Sequence, residues 1–145
     1  MPAWVRSACD EYLGRLSGAL PVTLQEIEPA TRTAASMPAR AIAAEGERLL
    51  AALRPGEYVT GLDERGTQLS TRELAAWLKT RMQEGADLAF LIGGPDGLAR
   101  EVLGRSQLRW SLSRLTLPHA LVRVLLAEQL YRAHSILTNH PYHRD

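Results

Sequence analysis

The chain has 145 residues, of which 46% are hydrophobic and 23% charged, and its net charge is +1 at pH 7. This length suffices for one compact domain with a buried core, and the proportions are those of an ordinary soluble globular protein. The sequence lacks both the long apolar run of a membrane span and the apolar segment of a secretory signal. Its single cysteine, Cys9, cannot form an internal disulfide, so the sequence predicts a reducing compartment, the cytoplasm.

The charges are unevenly distributed along the chain. Up to Asp96 there are 10 Lys and Arg residues against 13 Asp and Glu, whereas from Gly97 onward there are 7 against 3, together with all four histidines. Charge alone leaves two interpretations open. One is a chance scatter over a solvated surface, and the other is a C-terminal third that faces a polyanion.

Hydrophobic spacing predicts the elements of the first half. Trp4, Ala8, Tyr12 and Leu16 recur every four residues, which predicts an amphipathic helix over residues 3–17 that ends before Pro21. The elements that follow are, in order, a strand at 22–27, a surface loop at 28–37, a helix at 39–53 ended by Pro55 and Gly56, a strand at 58–62, and a loop that contains Asp63 and Gly66.

In the second half, Ser70 and Glu73 have the spacing of a capping box, which predicts that a helix begins there. The apolar run at 86–92 is typical of a strand buried on both faces of a parallel sheet. A helix at 98–106, a strand at 109–112 and a helix at 118–137 complete the series. This alternation predicts a single α/β domain over residues 1–145, with a mostly parallel sheet flanked by helices.

A glycine-rich segment, GGPDG at 93–97, ends the apolar strand. Glycines at the carboxyl end of such a strand allow a ligand to approach the backbone, but taken alone the segment is better explained by a tight turn that needs positive φ. The pattern is neither the dinucleotide fingerprint nor a phosphate loop with lysine.

The loop at 113–119 joins the last strand to the last helix. Leu115 and Leu117, flanked by hydroxyl groups and backbone donors, could enclose a flat heteroaromatic ring. The alternative is an ordinary loop in which Pro118 begins the helix. Both interpretations stay open at this point.

The final helix has a wide apolar stripe, suited to core packing or to a dimer interface. In the tail beyond it, Tyr142 could stack on a base and Arg144 could hold a phosphate, but a solvated terminus is the alternative. His140 and His143 have no accompanying ligand cluster, so no metal site is predicted. The chain also lacks a hydrolytic nucleophile motif or a paired-carboxylate pattern.

Three stretches together carry a resemblance to a known family: FLIGGPDGL at 90–98, WSLSRLTLPH at 110–119 and TNHPYHR at 138–144. In their order and spacing they resemble the ribosomal RNA large subunit methyltransferase H family, which belongs to the SPOUT, or α/β-knot, methyltransferases. The resemblance implies a C-terminal trefoil knot, a homodimer and S-adenosyl-L-methionine as methyl donor. It further implies methylation of ring nitrogen N3 of a pseudouridine in large-subunit (23S) ribosomal RNA, in assembled ribosomes and without a metal.

The resemblance also assigns site residues. Those that would contact the donor are Leu62, Gly94, Ser113, Arg114, Leu115, Thr116, Leu117 and Pro118, with Arg114 acting through its backbone. Tyr142, His143 and Arg144 would approach the target RNA, with Arg123 or Arg132 as possible helpers at its phosphates. The proton acceptor is not identified, and His119 and His143 are the candidates.

The sequence departs from the family pattern at the front of the chain, where relatives carry about ten further residues that form a first strand inside the sheet. We therefore expect that this strand is missing from the sequence as given, as would follow from a start codon placed too late. Two other functions stay open: a non-catalytic RNA-binding or ribosome-assembly module of the same fold, and a small-molecule α/β enzyme that uses the loop at 93–97.

Overall fold

A computed structural model of the chain describes residues 1–16, 18–31 and 38–144, which form five α-helices and three β-strands. The elements are α1 (Ala3–Leu16), α2 (Pro38–Ala51), β1 (Tyr58–Gln68), α3 (Thr71–Gln83), β2 (Leu88–Leu91), α4 (Arg100–Arg105), β3 (Leu108–Ser111) and α5 (His119–Leu137). All five predicted helices are confirmed. Residue 17 of the first predicted helix and residues 32–37 of the predicted loop lie outside the described residues. Among the described helices, none is long and apolar enough to cross a membrane.

The chain divides into two compact units. Unit 1 comprises Met1–Gln25, Leu69–Gly85 and Ala120–Asp145, and unit 2 comprises Glu26–Gln68 and Ala86–His119. Unit 1 contains α1, α3 and nearly all of α5, whereas unit 2 contains the sheet with α2 and α4. The chain therefore passes repeatedly from one unit to the other.

The helices of unit 1 each bury one face. In α1 the buried residues are Val5, Cys9 and Leu16, which share a helix face, and burial raises the pKa of the Cys9 thiol. The hydroxyl of Thr71, at the start of α3, donates to Oε1 of Gln129 on α5 at 2.8 Å. Apolar burial and this polar contact together hold the helices of unit 1.

The predicted capping box at the start of α3 is confirmed. The backbone N–H of Glu73 donates to Oγ of Ser70 at 3.1 Å, and the backbone N–H of Ser70 donates to Oε1 of Glu73 at 2.8 Å. These bonds satisfy two helix N–H groups that would otherwise lack partners. The bond from the Ser70 backbone, and then the one with its side chain, lowers the pKa of Glu73.

Replacing Ser70 with alanine is expected to lower the free energy of unfolding by about 1 kcal/mol, because α3 loses its cap. The charge of Glu73 contributes stability above its ordinary pKa, and this contribution is lost as the pH falls through the lowered value. Urea denaturation at neutral pH would measure the change in the free energy of unfolding caused by Ser70→Ala. Ser7→Ala, at an exposed position of α1, is the control and should change stability by less than about 0.5 kcal/mol. Equal values for the two variants would contradict the role of the cap.

Unit 2 is built on a parallel sheet with the strand order β2-β1-β3. Tyr58 of β1 pairs with Leu88 of β2, and Thr60 of β1 pairs with Leu108 of β3. Parallel pairing confirms the predicted α/β class. The carboxyl ends of all three strands consequently lie at one edge of the sheet, where α/β proteins bind ligands.

One face of the sheet forms the core of unit 2. Val59 and Leu91 are buried there together with Ala99 and Val102. The partly buried residues packed against this cluster are Ile42, Leu49, Leu50, Leu53 and Leu98, most of them from α2. The approach is close, since a Cβ added to Gly46 of α2 would lie 2.8 Å from Cβ of Ala99. Helices α2 and α4 thus cover this face.

The predicted loop after residue 62 is wrong, because β1 continues to Gln68. Trp110 of β3 pairs first with Leu62 and again with Thr67, and the register shifts between these two β1 residues. A Cβ on Gly66 would lie 2.5 Å from the carbonyl oxygen of Arg109. This glycine therefore permits the backbones of β1 and β3 to approach closely. From sequence alone, a glycine with this role cannot be distinguished from one that marks a turn.

Two other strand predictions need correction. Residues 22–27 are described and form no strand; Val22 and Leu24 stay exposed, because alternating residues form a strand only where a neighbour pairs with them. The strand predicted at 86–92 is β2, which is parallel as expected but is not buried on both faces. Of the four β2 residues only Leu91 is buried, since β2 is an outer strand of the sheet.

Candidate functional site

A tight turn follows β2 and carries the predicted donor contact Gly94. The backbone N–H of Gly97 donates to the carbonyl of Gly94 at 3.0 Å, with Pro95 and Asp96 between them, and Gly97 has a φ of +87°. Proline in the second position and glycine in the fourth suit a β-turn. A Cβ on Gly93 would lie 2.6 Å from the carbonyl carbon and oxygen of Gly97, so only glycine fits there. The predicted turn is confirmed, and its backbone is unobstructed by side chains at Gly93, Gly94 and Gly97.

Two serine hydroxyls shape the loop after β3. The buried hydroxyl of Ser111 donates to the carbonyl of Ser113 at 2.8 Å. Oγ of Ser113 in turn accepts the backbone N–H of Leu115 at 3.0 Å. Side-chain bonds to a backbone group two residues away stabilise turns in this manner. The loop therefore has a defined shape before any ligand arrives.

The strand register brings the predicted donor residues of unit 2 to one edge. Leu62 is the β1 partner of Trp110, near the end of β3, and its neighbour Gly61 is the partner of Leu91, the last residue of β2. Leu62 thus lies between the strand that leads to the turn at 93–97 and the strand that leads to the loop at 113–118. The arrangement offers backbone groups from two loops and an apolar side chain from a third segment.

The loop at 113–118 displays apolar surface. The side chain of Leu115 is 70% exposed, and Arg114, Thr116 and Pro118 are also exposed, whereas Leu117 is half-buried. An exposed leucine on a loop with a defined shape is a natural contact for a flat apolar ligand, because covering it would remove apolar area from water. Helix α5 begins directly after Pro118, at the half-buried His119.

Ser111 was not singled out from the sequence, although two serines two residues apart at a strand end are the signal for such a turn. Because the resemblance implies that this loop contacts S-adenosyl-L-methionine, Ser111→Ala is expected to weaken binding of that donor about tenfold: the carbonyl of Ser113 loses its hydrogen-bond donor and the loop loses its shape. Isothermal titration calorimetry would measure the affinity. Ser106→Ala removes a comparable bond, from Oγ to the carbonyl of Val102 at 2.8 Å, and should leave the affinity unchanged. Equal donor affinities in both variants would refute the role of Ser111.

The tail beyond α5 begins with a Schellman motif. Asn139 has a φ of +56°, the backbone N–H of His140 donates to the carbonyl of Ser135 at 2.8 Å, and that of Asn139 donates to the carbonyl of Ile136 at 3.2 Å. Asparagine tolerates this left-handed conformation better than most residues. The backbone N–H of Tyr142 then donates to Nδ1 of His140 at 3.2 Å. The chain is thereby turned back toward α5.

Tyr142 lies in a cluster of aromatic and cationic side chains in unit 1. Its ring centroid is 4.5 Å from that of Tyr131, and the guanidinium carbons of Arg132 and Arg15 lie 4.8 Å and 5.9 Å from it. Its hydroxyl donates to Oε2 of Glu128 at 2.8 Å. Burial, together with this bond to Glu128, raises the pKa of Tyr142 to about 12, so the phenol stays a neutral donor.

The last two predicted RNA residues differ in their surroundings. The carbonyl of His143 accepts from Nη1 of Arg132 at 2.8 Å, and Nδ1 of His143 lies 2.5 Å from the carbonyl of His140. Since a carbonyl only accepts, Nδ1 carries the proton, and Nε2 is the nitrogen that can accept one in the neutral ring. Arg144 is exposed, with a φ of +33° in the left-handed region.

The predicted site residues therefore fall into two groups. The donor residues and His119 lie in unit 2, and the tail residues lie in unit 1. Within residues 1–16, 18–31 and 38–144, no three His, Cys, Asp or Glu side chains are grouped as metal ligands.

Known proteins resemble the whole chain. The sequence model of the family described as "Predicted SPOUT methyltransferase" matches residues 1–143. A parallel α/β unit with two shaped loops at the carboxyl edge of its sheet fits this class of enzyme.

Individual relatives are similar over nearly their full length. The chain is 52% identical to ribosomal RNA large subunit methyltransferase H of Thiobacillus denitrificans, over all of this chain and 93% of the relative. It is 51% identical to the protein of that name from Stenotrophomonas maltophilia, over 99% of this chain and 92% of the relative. The corresponding protein of Chromohalobacter salexigens is 52% identical over 99% of this chain and 93% of the relative. The chain belongs to this family of SPOUT methyltransferases.

Proposed function

We propose that this chain uses S-adenosyl-L-methionine to methylate ring nitrogen N3 of a pseudouridine in large-subunit (23S) ribosomal RNA. The observation that supports this most directly is the gathering of Leu62, the turn at 93–97 and the loop at 113–118 at one edge of the sheet. Relatives at about half identity are named for methylation of this RNA, which supports the substrate. The family's match runs through both compact units, which supports one methyltransferase domain over residues 1–145.

The residues at this edge suit the donor. Leu115 and Leu117 would provide apolar walls for the adenine ring, and backbone groups of Gly94 and of residues 113–118 would hold the polar parts. A Cβ on Gly93 would collide with the backbone of Gly97, so glycine there keeps the turn closed, whereas a Cβ on Gly97 would meet no atom within 4 Å, so the backbone at Gly97 is open to close approach. Arg114, exposed on the loop, would act through its backbone.

S-adenosyl-L-methionine, when bound, supplies a methyl group on a sulfonium for an in-line displacement. The loops would hold that methyl group in line with the target nitrogen, an effect worth up to roughly 7–11 kcal/mol. The N3 proton must also leave, and a positioned base contributes about a hundredfold or more. His119 and His143 are the candidates. For His143 the bond of Nδ1 to the His140 carbonyl leaves Nε2 to accept the proton.

The tail would bind the RNA. Arg144, exposed and always charged, suits a phosphate, while Tyr142 and His143 would lie near the target nucleotide. Among the possible helpers, Arg132 is already bonded to Glu128 and to the His143 carbonyl, which leaves Arg123 as the other candidate.

We also propose a homodimer that acts on assembled ribosomes in the cytoplasm. Leu121 and Leu125 lie one turn apart on α5 and are 40% and 38% exposed, and Trp4 on α1 is 54% exposed. Exposed apolar side chains of this size are typical of an association surface. The buried free thiol of Cys9 agrees with a reducing compartment. Analytical ultracentrifugation would measure the oligomeric state.

Mass mapping of 23S ribosomal RNA from a strain that lacks its own enzyme tests the function. We expect the methylated pseudouridine to appear when this chain is expressed and to be absent otherwise. Calorimetry with S-adenosyl-L-methionine accompanies it, since a non-catalytic RNA-binding module would not bind the donor. An RNA mass unchanged by expression of the folded chain would refute the proposal.

A further inference from the structure

We propose that Glu128 and Arg132 of α5 are positioning residues for the RNA substrate. With Tyr142 they form a unit that we call the tail clamp, and the clamp holds His143 and Arg144 in one conformation before RNA arrives. The proposal rests on the proposed function, in which the tail contacts RNA. Neither Glu128 nor Arg132 needs to touch the reacting atoms for this role.

Glu128 is the centre of the tail clamp. Its Oε2 accepts from the hydroxyl of Tyr142 at 2.8 Å and from Nε of Arg132 at 2.9 Å, while its Oε1 accepts from Nε2 of Gln129 at 2.7 Å. The Glu128 side chain is only 15% exposed. A carboxylate that is mostly buried and bonded through both oxygens has little freedom to move, and breaking the set would leave it unpaired. The carboxylate therefore fixes the ring of Tyr142 relative to α5.

Arg132 uses its guanidinium in three ways at once. Nε bonds to Glu128, Nη1 donates to the carbonyl of His143 at 2.8 Å, and the planar group lies 4.8 Å from the ring centroid of Tyr142. The bond to the carbonyl fixes the peptide unit that joins His143 to Arg144. Lysine could not reproduce this combination, because it lacks a planar set of donors.

The Tyr142 ring has two further neighbours. Tyr131 and Arg15 lie 4.5 Å and 5.9 Å away, and Arg15 also lies 5.5 Å from the ring of Tyr131. The left-handed φ of Arg144 is unfavourable for a residue other than glycine, and such conformations persist where neighbouring contacts impose them. These contacts, which all lie within unit 1, hold the tail in place.

Order before binding has a consequence for affinity. Each residue that becomes ordered only on binding weakens the complex by about fivefold or more, because its conformational entropy is lost at that moment. A tail that is already held avoids this loss. The clamp should consequently act on the KM for ribosomes rather than on donor affinity, and on kcat only to the extent that His143 accepts the N3 proton.

The experiment compares Glu128→Ala, Glu128→Gln and Arg132→Lys with Glu84→Ala as the control. Glu84 forms a similar ion pair within unit 1, with Arg81 at 3.2 Å on α3, and has no place in the proposed site. Measured for each are kcat and KM for ribosomes, donor affinity by calorimetry, and amide hydrogen exchange of His140 and Tyr142, the tail residues whose backbone N–H groups are bonded. Thermal unfolding verifies that each variant is folded. If Glu128→Ala does not fold, Arg132→Lys still tests the proposal.

We expect Glu128→Ala and Arg132→Lys to raise the KM for ribosomes about tenfold and to speed tail exchange, with donor affinity changed by less than about twofold. Glu128→Gln keeps an acceptor for Tyr142, so its KM for ribosomes and its tail exchange should lie between those of these two variants and those of the control. Faster tail exchange with a KM equal to that of the control would overturn the proposal, as would unchanged tail exchange. Normal methylation of ribosomes by Arg144→Ala would instead refute the RNA role of the tail itself.

Discussion

Gly93→Ala is expected to lower the affinity for S-adenosyl-L-methionine about 10- to 100-fold and to lower methyl transfer with it. The added Cβ would lie 2.6 Å from the carbonyl carbon and oxygen of Gly97 and 3.0 Å from the nitrogen of Leu98. These are backbone atoms, so no side-chain rotation relieves the collision, and the turn must move. Overpacking of this kind costs about 1–3 kcal/mol of stability. A turn that shifts would lose backbone contacts to the donor, and a loss of about 1.4–2.8 kcal/mol of binding free energy corresponds to the expected range of affinity. Calorimetry and a methyl-transfer assay measure the two effects.

Gly104→Ala is the matched control for this prediction. Gly104 lies in α4 of the same unit, and a Cβ there would meet no atom within 4 Å. Alanine in a helix should raise stability by about 0.5–1 kcal/mol, with donor affinity unchanged. A folded Gly93→Ala protein that binds the donor as well as this control would mean that the turn lies outside the donor site.

Arg144→Ala is expected to raise the KM for ribosomes about tenfold while leaving donor affinity unchanged. Arg144 is exposed at the end of the tail, whereas the proposed donor loops belong to unit 2. The loss of the proposed phosphate contact should also reduce the slope of log affinity against log salt concentration by about 0.7–0.9. Methylation kinetics and ribosome binding at several salt concentrations measure both.

Arg105→Ala removes an exposed arginine from the end of α4 and serves as the control for Arg144. It changes net charge equally but has no assigned role, so both the KM and the salt slope should stay near those of the unsubstituted chain. Equal losses of donor affinity and of ribosome affinity in Arg144→Ala would contradict the proposal that the loops bind the donor and the tail binds RNA.

The features predicted correctly from sequence depend on neighbours in the chain. The capping box joins Ser70 to Glu73, three residues away, and the turn at 93–97 closes through a bond between Gly94 and Gly97. Helix periodicity is likewise a short-range property, so all five helices were predicted. Such features need no knowledge of distant packing.

The errors arose where distant residues decide the structure. Gly66 resembles a turn residue until β3 lies beside it, and residues 22–27 resemble a strand although no strand pairs with them. Both cases turn on whether a partner strand is present. Sequence periodicity cannot supply that information, since pairing is a long-range property.

The sequence by itself determined the α/β class, the family and the three segments that carry the proposed site, because local patterns and the order of three motifs are written along the chain. Only the tertiary structure decided what holds those segments in shape. The hydrogen-bond partners in the structure identify Ser111 as a loop-forming residue and place Glu128 and Arg132 in the tail clamp. The physical reason is that a buried polar group acts through the partner it meets, and in the clamp Arg132 and Glu128 meet partners 11 and 14 residues away.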